Sequence, residues 1–554
     1  MNSIVKPAVL AGWLFALALG AEPALAQVPA AAAEGAPIDV WEFAVEGNSV
    51  LPVLAIEQAV TPFLGPQRQL KDLEAARAAL ERAYQTRGFL TVFVDLPEQR
   101  VDDGVVRLLV LEGRIARTSV TGSRYYDQGY IRNKVPSFAE GTVPNFNTAQ
   151  QELALVNRTE QRRVQPVLKP GREPGTVEVE MKVADQLPVS GSVDLNNDHA
   201  VGTDPWRLQA TLRYDNRFQR DHGLTLTGVV APREPSQSSA LIVNYSVPLD
   251  SGNSFIAYGV LSNSEVETLG GTSVLGNGTT LGWRYAIPFE GGGGLHSVTL
   301  GFDYKNLSEK VSLGADNIST PLKYLPFQAS YTGNWSGKGS QTSLTGTLLA
   351  ASRSLFQTDL PCSGSDVPVD QFACKRYGAD GSFATLRLGA THSMALGPAS
   401  LAMRIAGQMA MQPLPSSEQF VIGGASTVRG YYEGEAAGDA GVVGSIELRS
   451  PNWARAAISL IDSGASGDKS DASGAAGELS EITLFAFTDV GRTQLISPLP
   501  GQVVRVPLLS AGAGLRLAGR SRWSLGMDWA VPRKTASVTT SGDSVVNVRL
   551  GWKY

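Results

Sequence analysis

The chain has 554 residues, a formal net charge of -5 and only 18% charged residues. This length predicts two or three folding units, and the mild acidity argues against nucleic acid as a partner because no basic surplus is present to neutralise phosphates. A helical membrane protein needs about 20 consecutive apolar residues for each span, and only the N-terminus approaches such a run. Helical membrane spans are therefore not expected beyond the N-terminus.

The first residues have the layout of a secretory signal peptide. Lys6 precedes the apolar stretch 8–21, and Ala24-Leu25-Ala26 has the small-x-small pattern of a cleavage site. We predict a signal peptide over residues 1–26, a short lead over residues 27–37 and a mature protein that leaves the cytoplasm. A membrane anchor is the alternative, but the apolar core is short.

The chain contains two cysteines, Cys362 and Cys374, close together in a stretch rich in Gly, Ser and Asp. In an oxidising compartment such a pair is expected to close one loop as a disulfide. A metal site would need further thiols or histidines, and none is near in the sequence. We predict a disulfide and no metal site.

Residues 38–113 predict a compact α+β unit of order β-α-α-β-β. Residues 38–45 alternate like a strand, and the strands 89–96 and 105–112 close the unit. Between them, a helical stripe precedes Gly88, a predicted C-cap. The stripe consists of Leu73, Ala76, Leu80, Ala83 and Tyr84.

The same order of elements recurs in residues 114–186, which is weak internal repetition. Its strands are predicted over 116–120, 164–169 and 176–183, and its helices over 126–135 and 148–157. Both units resemble POTRA (polypeptide-transport-associated) domains, which precede certain outer-membrane barrels. The resemblance implies that they lie in the periplasm and bind client chains, by adding a strand to a sheet edge or in a groove; structural spacers are the alternative.

From residue 187 to 554 the sequence changes to segments of about ten residues that alternate apolar and polar, as in membrane β-barrels. In the last segment Val546, Val548, Leu550, Trp552 and Tyr554 share one face. A soluble β-sandwich also alternates, but it has no reason to carry aromatic residues at lipid interfaces. We predict a mainly β protein: a 16-stranded antiparallel transmembrane β-barrel, preceded by two periplasmic α+β POTRA domains.

About sixteen segments can be counted, and the even number suits a closed bacterial barrel. Connections should alternate between short turns and long loops, with long ones over 306–321 and 356–378. The connection 451–480 should be short, yet it is long and of flexible composition. The predicted strands begin near residues 187, 206, 223, 239, 254, 280, 296, 323, 340, 382, 399, 441, 482, 508, 522 and 544.

A long connection after the eleventh segment carries Val428, Arg429, Gly430 and Tyr431, and a later segment places Phe485, Phe487, Asp489 and Gly491 on one face. The V-R-G-Y and F-x-F-x-D-x-G sequences are similar to the signature loop and thirteenth strand of two-partner secretion transporters, the ShlB/FhaC/HecB family. They also resemble the wider superfamily that includes BamA-type insertases. The resemblance implies that the sixth loop folds into the lumen and that Arg429 grips Asp489 as a bidentate fork.

The resemblance further implies a translocator of the cell outer membrane that takes an unfolded exoprotein in the periplasm and secretes it through the barrel, with or without activating it. Trp552 and Tyr554 resemble the family's assembly signal for the barrel-assembly machinery. The expected partners are the exoprotein, that machinery and outer-membrane lipid; no cofactor, nucleic acid or second subunit is expected.

Three other functions are compatible with parts of the sequence. An insertase of the same superfamily usually carries more POTRA domains, and a diffusion porin has no reason to carry any. An enzyme would need a catalytic set, and the four histidines are scattered over the chain, so no catalytic residue is predicted. Only residues 27–37 precede the first unit, so the family's plug helix is not expected and the sixth loop alone should fill the lumen.

Overall fold

A computed structural model describes residues 37–101, 103–159, 161–269, 272–313, 316–361, 367–454, 456 and 478–554, with backbone alone for 264–269, 272–276, 309–313, 316–320 and 361. The predicted signal peptide, the lead 27–36, Cys362 and most of the connection 451–480 lie outside the described residues. The described chain divides into two compact units. One contains the residues up to 121 with 132–156 and 165–182, and the other contains 122–131, 157–164 and 183–554.

The first elements surround a small mixed sheet in which β5 lies between β2, its parallel neighbour, and β4, its antiparallel neighbour. Helix α2 buries four residues of the predicted stripe and ends in a Schellman motif, where Phe89 N–H donates to Tyr84 O at 3.1 Å and Gly88 has φ +96°. The elements are β1 Ile38–Val40, β2 Glu42–Glu46, α1 Val53–Val60, the 3-10 helix η1 Thr61–Phe63, β3 Gly65–Arg68, α2 Leu70–Thr86, β4 Val92–Asp95 and β5 Val105–Glu112.

The next elements repeat this arrangement. In the sheet order β6-β8-β7, β8 is central and parallel to β6, as β5 is to β2. The order β-α-α-β-β is therefore present twice, whereas the domain boundaries at 113/114 and 186/187 stay predictions. The elements are β6 Arg114–Thr121, α3 Gln128–Asn133, η2 Pro136–Phe138, α4 Phe146–Val156, β7 Arg162–Pro170 and β8 Thr176–Asp185.

The rest of the described chain forms a closed antiparallel sheet. Two of its strands, β16 and β17, both pair with β15, end to end along its length, so they share one position and the barrel has sixteen, as predicted. The barrel strands are β9 Val189–Asn196, β10 Arg207–Arg217, β11 His222–Val230, β12 Ser238–Pro248, β13 Ser254–Leu269, β14 Thr272–Gly291, β15 Gly294–Leu313, β16 Asp316–Tyr324, β17 Phe327–Gly337, β18 Ser340–Ala351, β21 Phe383–Leu396, β22 Ala399–Ala410, β25 Ala440–Arg449, β26 Leu479–Gln494, β27 Arg505–Gly519, β28 Trp523–Pro532 and β29 Val545–Lys553.

Two connections carry structure of their own. They contain η3 Arg353–Leu355, β19 Asp359–Pro361, β20 Pro368–Asp370, α5 Gln371–Lys375, η4 Ser416–Glu418, β23 Phe420–Ile422 and β24 Ala436–Gly438. Short strands β19 and β20 pair with each other, as do β23 and β24.

The two faces of β26 differ as the alternation predicts. On β26, Phe485, Phe487 and Asp489 are buried on the inward face, whereas Leu484 and Val490 are 54% and 53% exposed on the outward face. Closure supplies every strand with a neighbour on both sides, which hydrocarbon requires because it offers no water to the backbone. Among the described residues, no helix is long and apolar enough to cross a membrane.

Four expectations are wrong in detail. The strand predicted over 38–45 breaks at Trp41, whose N–H donates to Gly104 O at 2.8 Å. The sixth barrel strand begins at Thr272, not near residue 280. The predicted loop 306–321 is mostly strand, because β15 and β16 continue their pairing to Leu313 and Asp316; the polar alternation there has the composition of a loop but the period of a strand.

The fourth correction concerns the lumen. The connection 411–439 does not fill it alone, because α5 in the preceding connection buries Phe372 against inward-facing barrel residues. The sequence does not predict that α5 lies in the lumen, because a short polar helix in a loop is usually found on the surface.

The outward face should reject charge and the inward face accept it. Leu388→Lys, on the outward face of β21 (51% exposed), is expected to destabilise the barrel by about 2–4 kcal/mol because it places an ammonium in lipid. Thr391→Lys, three residues away on the lumen face, is the control and should change stability little. Urea titration of both variants folded in liposomes measures this; equal stabilities would contradict the assigned faces.

Candidate functional site

The connection 411–439 runs inside the barrel. Its hairpin, β23 with β24, and its residues Val428 and Tyr431 pack in one buried cluster with Val443 of β25 and Leu508 of β27. Val428 is 0% exposed. Val428 and Tyr431 of the predicted signature are therefore held against the inner wall.

Arg429 binds Asp489 through a bidentate fork. Nε donates to Oδ2 at 2.7 Å and Nη2 donates to Oδ1 at 2.9 Å, and the backbone N–H of Arg429 donates to Oδ2 at 3.1 Å. Asp489 is 0% exposed and Arg429 is 6% exposed. Main chain and side chain of one residue thus grip one carboxylate, which fixes the depth and the direction of the loop.

The guanidinium of Arg429 makes further contacts, through Nη1 and through its flat face. Nη1 donates to Glu447 Oε2 at 2.9 Å, and the guanidinium carbon lies 3.4 Å from the ring centroid of Phe487. Ser445 Oγ donates to Asp489 Oδ1 at 2.6 Å. Only arginine combines a planar fork with a face that stacks on an aromatic ring, so lysine could not reproduce this set.

Arg404 of β22 binds the loop at the two residues that precede Val428. Its Nη2 donates to the carbonyl of Thr427 at 3.0 Å, and its Nη1 donates to the carbonyl of Ser426. Two arginines thus join the loop to the wall: Arg404 is on a strand and binds the loop, whereas Arg429 is on the loop and binds a strand.

Glycines on the strands make room for the predicted aromatic residues. A Cβ at Gly512 would lie 2.5 Å from Phe487 Cζ, and one at Gly514 would lie 2.2 Å from Phe485 Cζ. Phe487 and Phe485 lie directly opposite these glycines on the neighbouring strands β26 and β27. Each ring therefore packs over a glycine, which has no side chain to obstruct it.

Tyr431 and Gly430 complete the signature. Tyr431 Oη donates to the carbonyl of Lys534 at 2.8 Å and accepts from the N–H of Leu509 at 3.2 Å. Gly430 has φ +91°, and a Cβ there would lie 3.2 Å from that of Ala530. Glycine is needed here for its conformation and for the close approach to β28.

A second buried cluster in the same connection was missed by the sequence analysis. Glu418 is 0% exposed and is met by Lys305 Nζ at 2.5 Å, Tyr324 Oη at 2.8 Å and Arg387 Nη2 at 3.1 Å. These partners come from β15, β16 and β21. The alternation of the sequence places Lys305 and Arg387 on the inward faces of their strands, but it does not indicate that Glu418 is their partner.

The other end of the connection is tied as well. Glu435 accepts hydrogen bonds from the N–H groups of Val538 and Thr539 at 3.0 Å and 2.8 Å. Burial alone would raise the pKa of Glu435, but these bonds and those from the Thr539 hydroxyl and Tyr432 N–H lower it overall. The carboxylate is thus stabilised in its charged form.

A cavity of about 590 Å³ lies beside Arg429. Its lining includes the hydroxyls of Ser343, Thr391 and Ser393 and the charged groups of Arg404 and Glu447. Within the described residues, histidine, cysteine and carboxylate groups form no cluster of metal-ligand size. The arrangement can hold a loop, and it offers a wall that is partly polar.

The remaining site predictions fall elsewhere. Cys374 is disulfide-bonded, and its pairing with Cys362 stays a prediction because Cys362 lies outside the described residues. Trp552 and Tyr554 are exposed on the outward side of the chain end, with ring centroids 6.4 Å apart. Their role as an assembly signal stays a prediction.

The fit of the loop against the wall can be tested at Gly491. A Cβ there would lie 2.8 Å from Ile422 Cδ1 and 3.0 Å from Val428 Cγ2, so Gly491→Val is expected to cost about 1–3 kcal/mol through overpacking. The matched control is Gly444→Val, because the nearest atom to a Cβ there is 3.6 Å away. Thermal unfolding in detergent and amide exchange of residues 423–431 measure both; equal behaviour would refute the packing.

Comparisons with known proteins agree with this geometry. Residues 38–113 match the family model of the ShlB-type POTRA domain, and residues 369–480 match that of the haemolysin secretion/activation proteins ShlB/FhaC/HecB. The outer membrane transporter CdiB of Escherichia coli O6:K15:H31 (strain 536 / UPEC) is 27% identical over 186 residues, which are 34% of this chain and 31% of CdiB. The match thus spans about a third of that relative's length.

A second relative aligns over a longer stretch. The heme/hemopexin transporter protein HuxB of Haemophilus influenzae (strain ATCC 51907 / DSM 11121 / KW20 / Rd) is 24% identical over 392 residues, 68% of this chain and 66% of HuxB.

Solved structures share the fold. CdiB from Escherichia coli superposes with a TM-score of 0.59 at 18% identity, over 96% of this chain and 93% of CdiB. BamA from Haemophilus ducreyi, lacking POTRA domains 1–3, superposes with a TM-score of 0.51 at 15% identity, over 93% and 100%. The ShlB/FhaC/HecB match spans the loop of Arg429, so this part of the chain is similar to the haemolysin secretion/activation proteins, and residues 38–113 are similar to the ShlB-type POTRA domain.

Proposed function

We propose that the protein is an outer-membrane translocator that secretes a protein partner by two-partner secretion. The observation that carries the proposal is the Arg429–Asp489 fork, which holds a long loop inside a sixteen-position barrel. A plain diffusion channel has no need of such an anchored loop. The ShlB-type POTRA match at residues 38–113 supplies the second part of the argument.

The route follows from the chemistry of the wall. The POTRA-like units take the unfolded exoprotein in the periplasm and deliver it to the lumen by strand addition or groove binding. The cavity beside Arg429 is lined by hydroxyl and charged groups together with Trp335 and Met403, so its polar groups can form hydrogen bonds with the backbone of an extended polypeptide. Folding of the exported chain outside the cell supplies the driving force.

Arg429 acts as a positioning residue in this scheme. It sets where the loop stands in the lumen, and the loop shapes the conduit. The partner is a secreted exoprotein, the membrane lipid meets the outward face, and the barrel-assembly machinery inserts the chain with Trp552 and Tyr554 as its signal. The barrel works as a single copy.

Insertion of other barrels into the membrane is the second candidate, favoured by the superposition on BamA at a TM-score of 0.51. That likeness, at 15% identity, concerns the fold. The two POTRA-like units and the ShlB/FhaC/HecB match at residues 369–480 favour secretion.

Replacing the anchor should cut secretion. Arg429→Ala leaves Asp489 buried without its cation, and we expect at least about a tenfold fall of the secreted partner, with Asp489→Asn acting in the same direction. The partner in the medium is quantified, and barrel assembly is checked by heat-modifiable mobility on gels.

The control is Arg213→Ala. Arg213 is also a lumen arginine and binds Asp215 at 2.6 Å, but none of its hydrogen bonds in the described structure reaches the connection 411–439 or a partner of Arg429. Secretion by this variant should stay near wild type. Normal export by an Arg429→Ala protein whose barrel has assembled would contradict the role proposed for Arg429.

A further inference from the structure

The connection between β18 and β21 has a described part, residues 367–382, that we name the lid. Its helix α5 lies against the inner wall of the barrel, because Phe372 is 0% exposed and packs in a buried cluster. An apolar core is unusual on the inward face of a water-filled barrel. Its members are Leu307, Leu322, Tyr324, Leu349, Phe372, Ala379, Phe383 and Leu414.

Gln371 fastens the same helix to the edge of a strand. Its Oε1 accepts from the N–H of Lys323 at 2.8 Å, and its Nε2 donates to the carbonyl of Lys323 at 2.8 Å. The side-chain amide thus satisfies both backbone groups of a residue on β16, as a neighbouring strand would. Gln371 is 1% exposed, so this attachment is shielded from water.

Arg376 ties the lid to two other connections. Its Nη2 donates to Asp439 Oδ2 at 2.7 Å and to the carbonyl of Ile496 at 3.0 Å, and its Nη1 donates to Asp439 and to the carbonyl of Leu414 at 3.0 Å. Asp439 is 0% exposed and also accepts from the N–H groups of Leu414 and Ile496, at 2.9 Å and 2.6 Å. One guanidinium therefore joins the lid, the loop of Arg429 and the connection after β26.

These attachments are made by side chains. In the described part of the connection, β19 and β20 pair only with each other, so the lid contributes no strand to the barrel sheet. The ring of Phe372, the amide of Gln371 and the guanidinium of Arg376 can therefore be released without opening the barrel ladder. Asp439 would keep its two backbone donors after release, so its carboxylate would not be stranded.

We propose that the lid closes the long-loop end of the lumen and that Arg376 is its latch, which must let go before an exported polypeptide can leave. The inference rests on the proposed function, but the closure itself is a property of the barrel alone. It is separate from the Arg429 site, because within the described residues Arg376 and Arg429 share no hydrogen-bond partner.

The test is single-channel recording of the full-length protein in planar bilayers, without any cargo. Arg376→Ala and Phe372→Ala are each expected to raise the open fraction at least about threefold, because each removes contacts made only in the closed state. Arg376→Lys keeps the charge but loses the fork and should lie between wild type and Arg376→Ala.

The control is Tyr377→Ala, in the lid itself, because Tyr377 is 71% exposed; its conductance should match wild type. Folding of each variant is checked by heat-modifiable mobility. If Arg376→Ala fails to fold, Arg376→Lys and Phe372→Ala decide the matter alone. If the folded Arg376 and Phe372 variants keep the wild-type open fraction, the lid proposal is wrong and the secretion proposal stands. If deletion of the gene leaves secretion of the exoprotein unchanged, the secretion proposal is wrong and the lid proposal stands.

Discussion

A chain that crosses hydrocarbon must pair every backbone N–H and C=O within itself, because no water is present to take their place. The closed sheet from β9 to β29 meets this requirement, and the number of its strands then sets a lumen too wide for strand side chains to fill. Long connections occupy that space. What distinguishes this barrel from an open channel is therefore how those connections are held against its inner wall.

They are held by buried charge pairs at three places: Arg429 with Asp489, Lys305 and Arg387 with Glu418, and Arg376 with Asp439. A buried pair adds little net stability, since removing two charges from water costs about as much as their attraction returns. It does give specificity, because an unpaired member is strongly disfavoured. Each pair thus fixes one point of a loop to a strand whose own position the ladder determines, and each can be exchanged for water when the loop is displaced.

Much of the barrel could be predicted from the sequence, because a strand with lipid on one face must alternate and its turns carry Gly, Asn and Asp; Ser254, Ser340 and Ala399 begin strands where expected. Outside lipid that constraint no longer applies, so the sequence of the β15–β16 hairpin has the composition of a loop although its strands pair. The Arg429–Asp489 pair came from resemblance alone. Glu418 and Asp439 could not be foreseen, because their partners lie 113 and 63 residues away and no local pattern links them.

The most direct test of the account is quantitative proteomics of the medium and the outer membrane, with and without this gene in its own host. The account predicts that one large secreted protein disappears from the medium while other barrels keep their abundance. That result would also identify the exoprotein. Unchanged secretion together with a general decline of outer-membrane barrels would contradict it, and would assign the anchored loop and the POTRA-like units to barrel insertion.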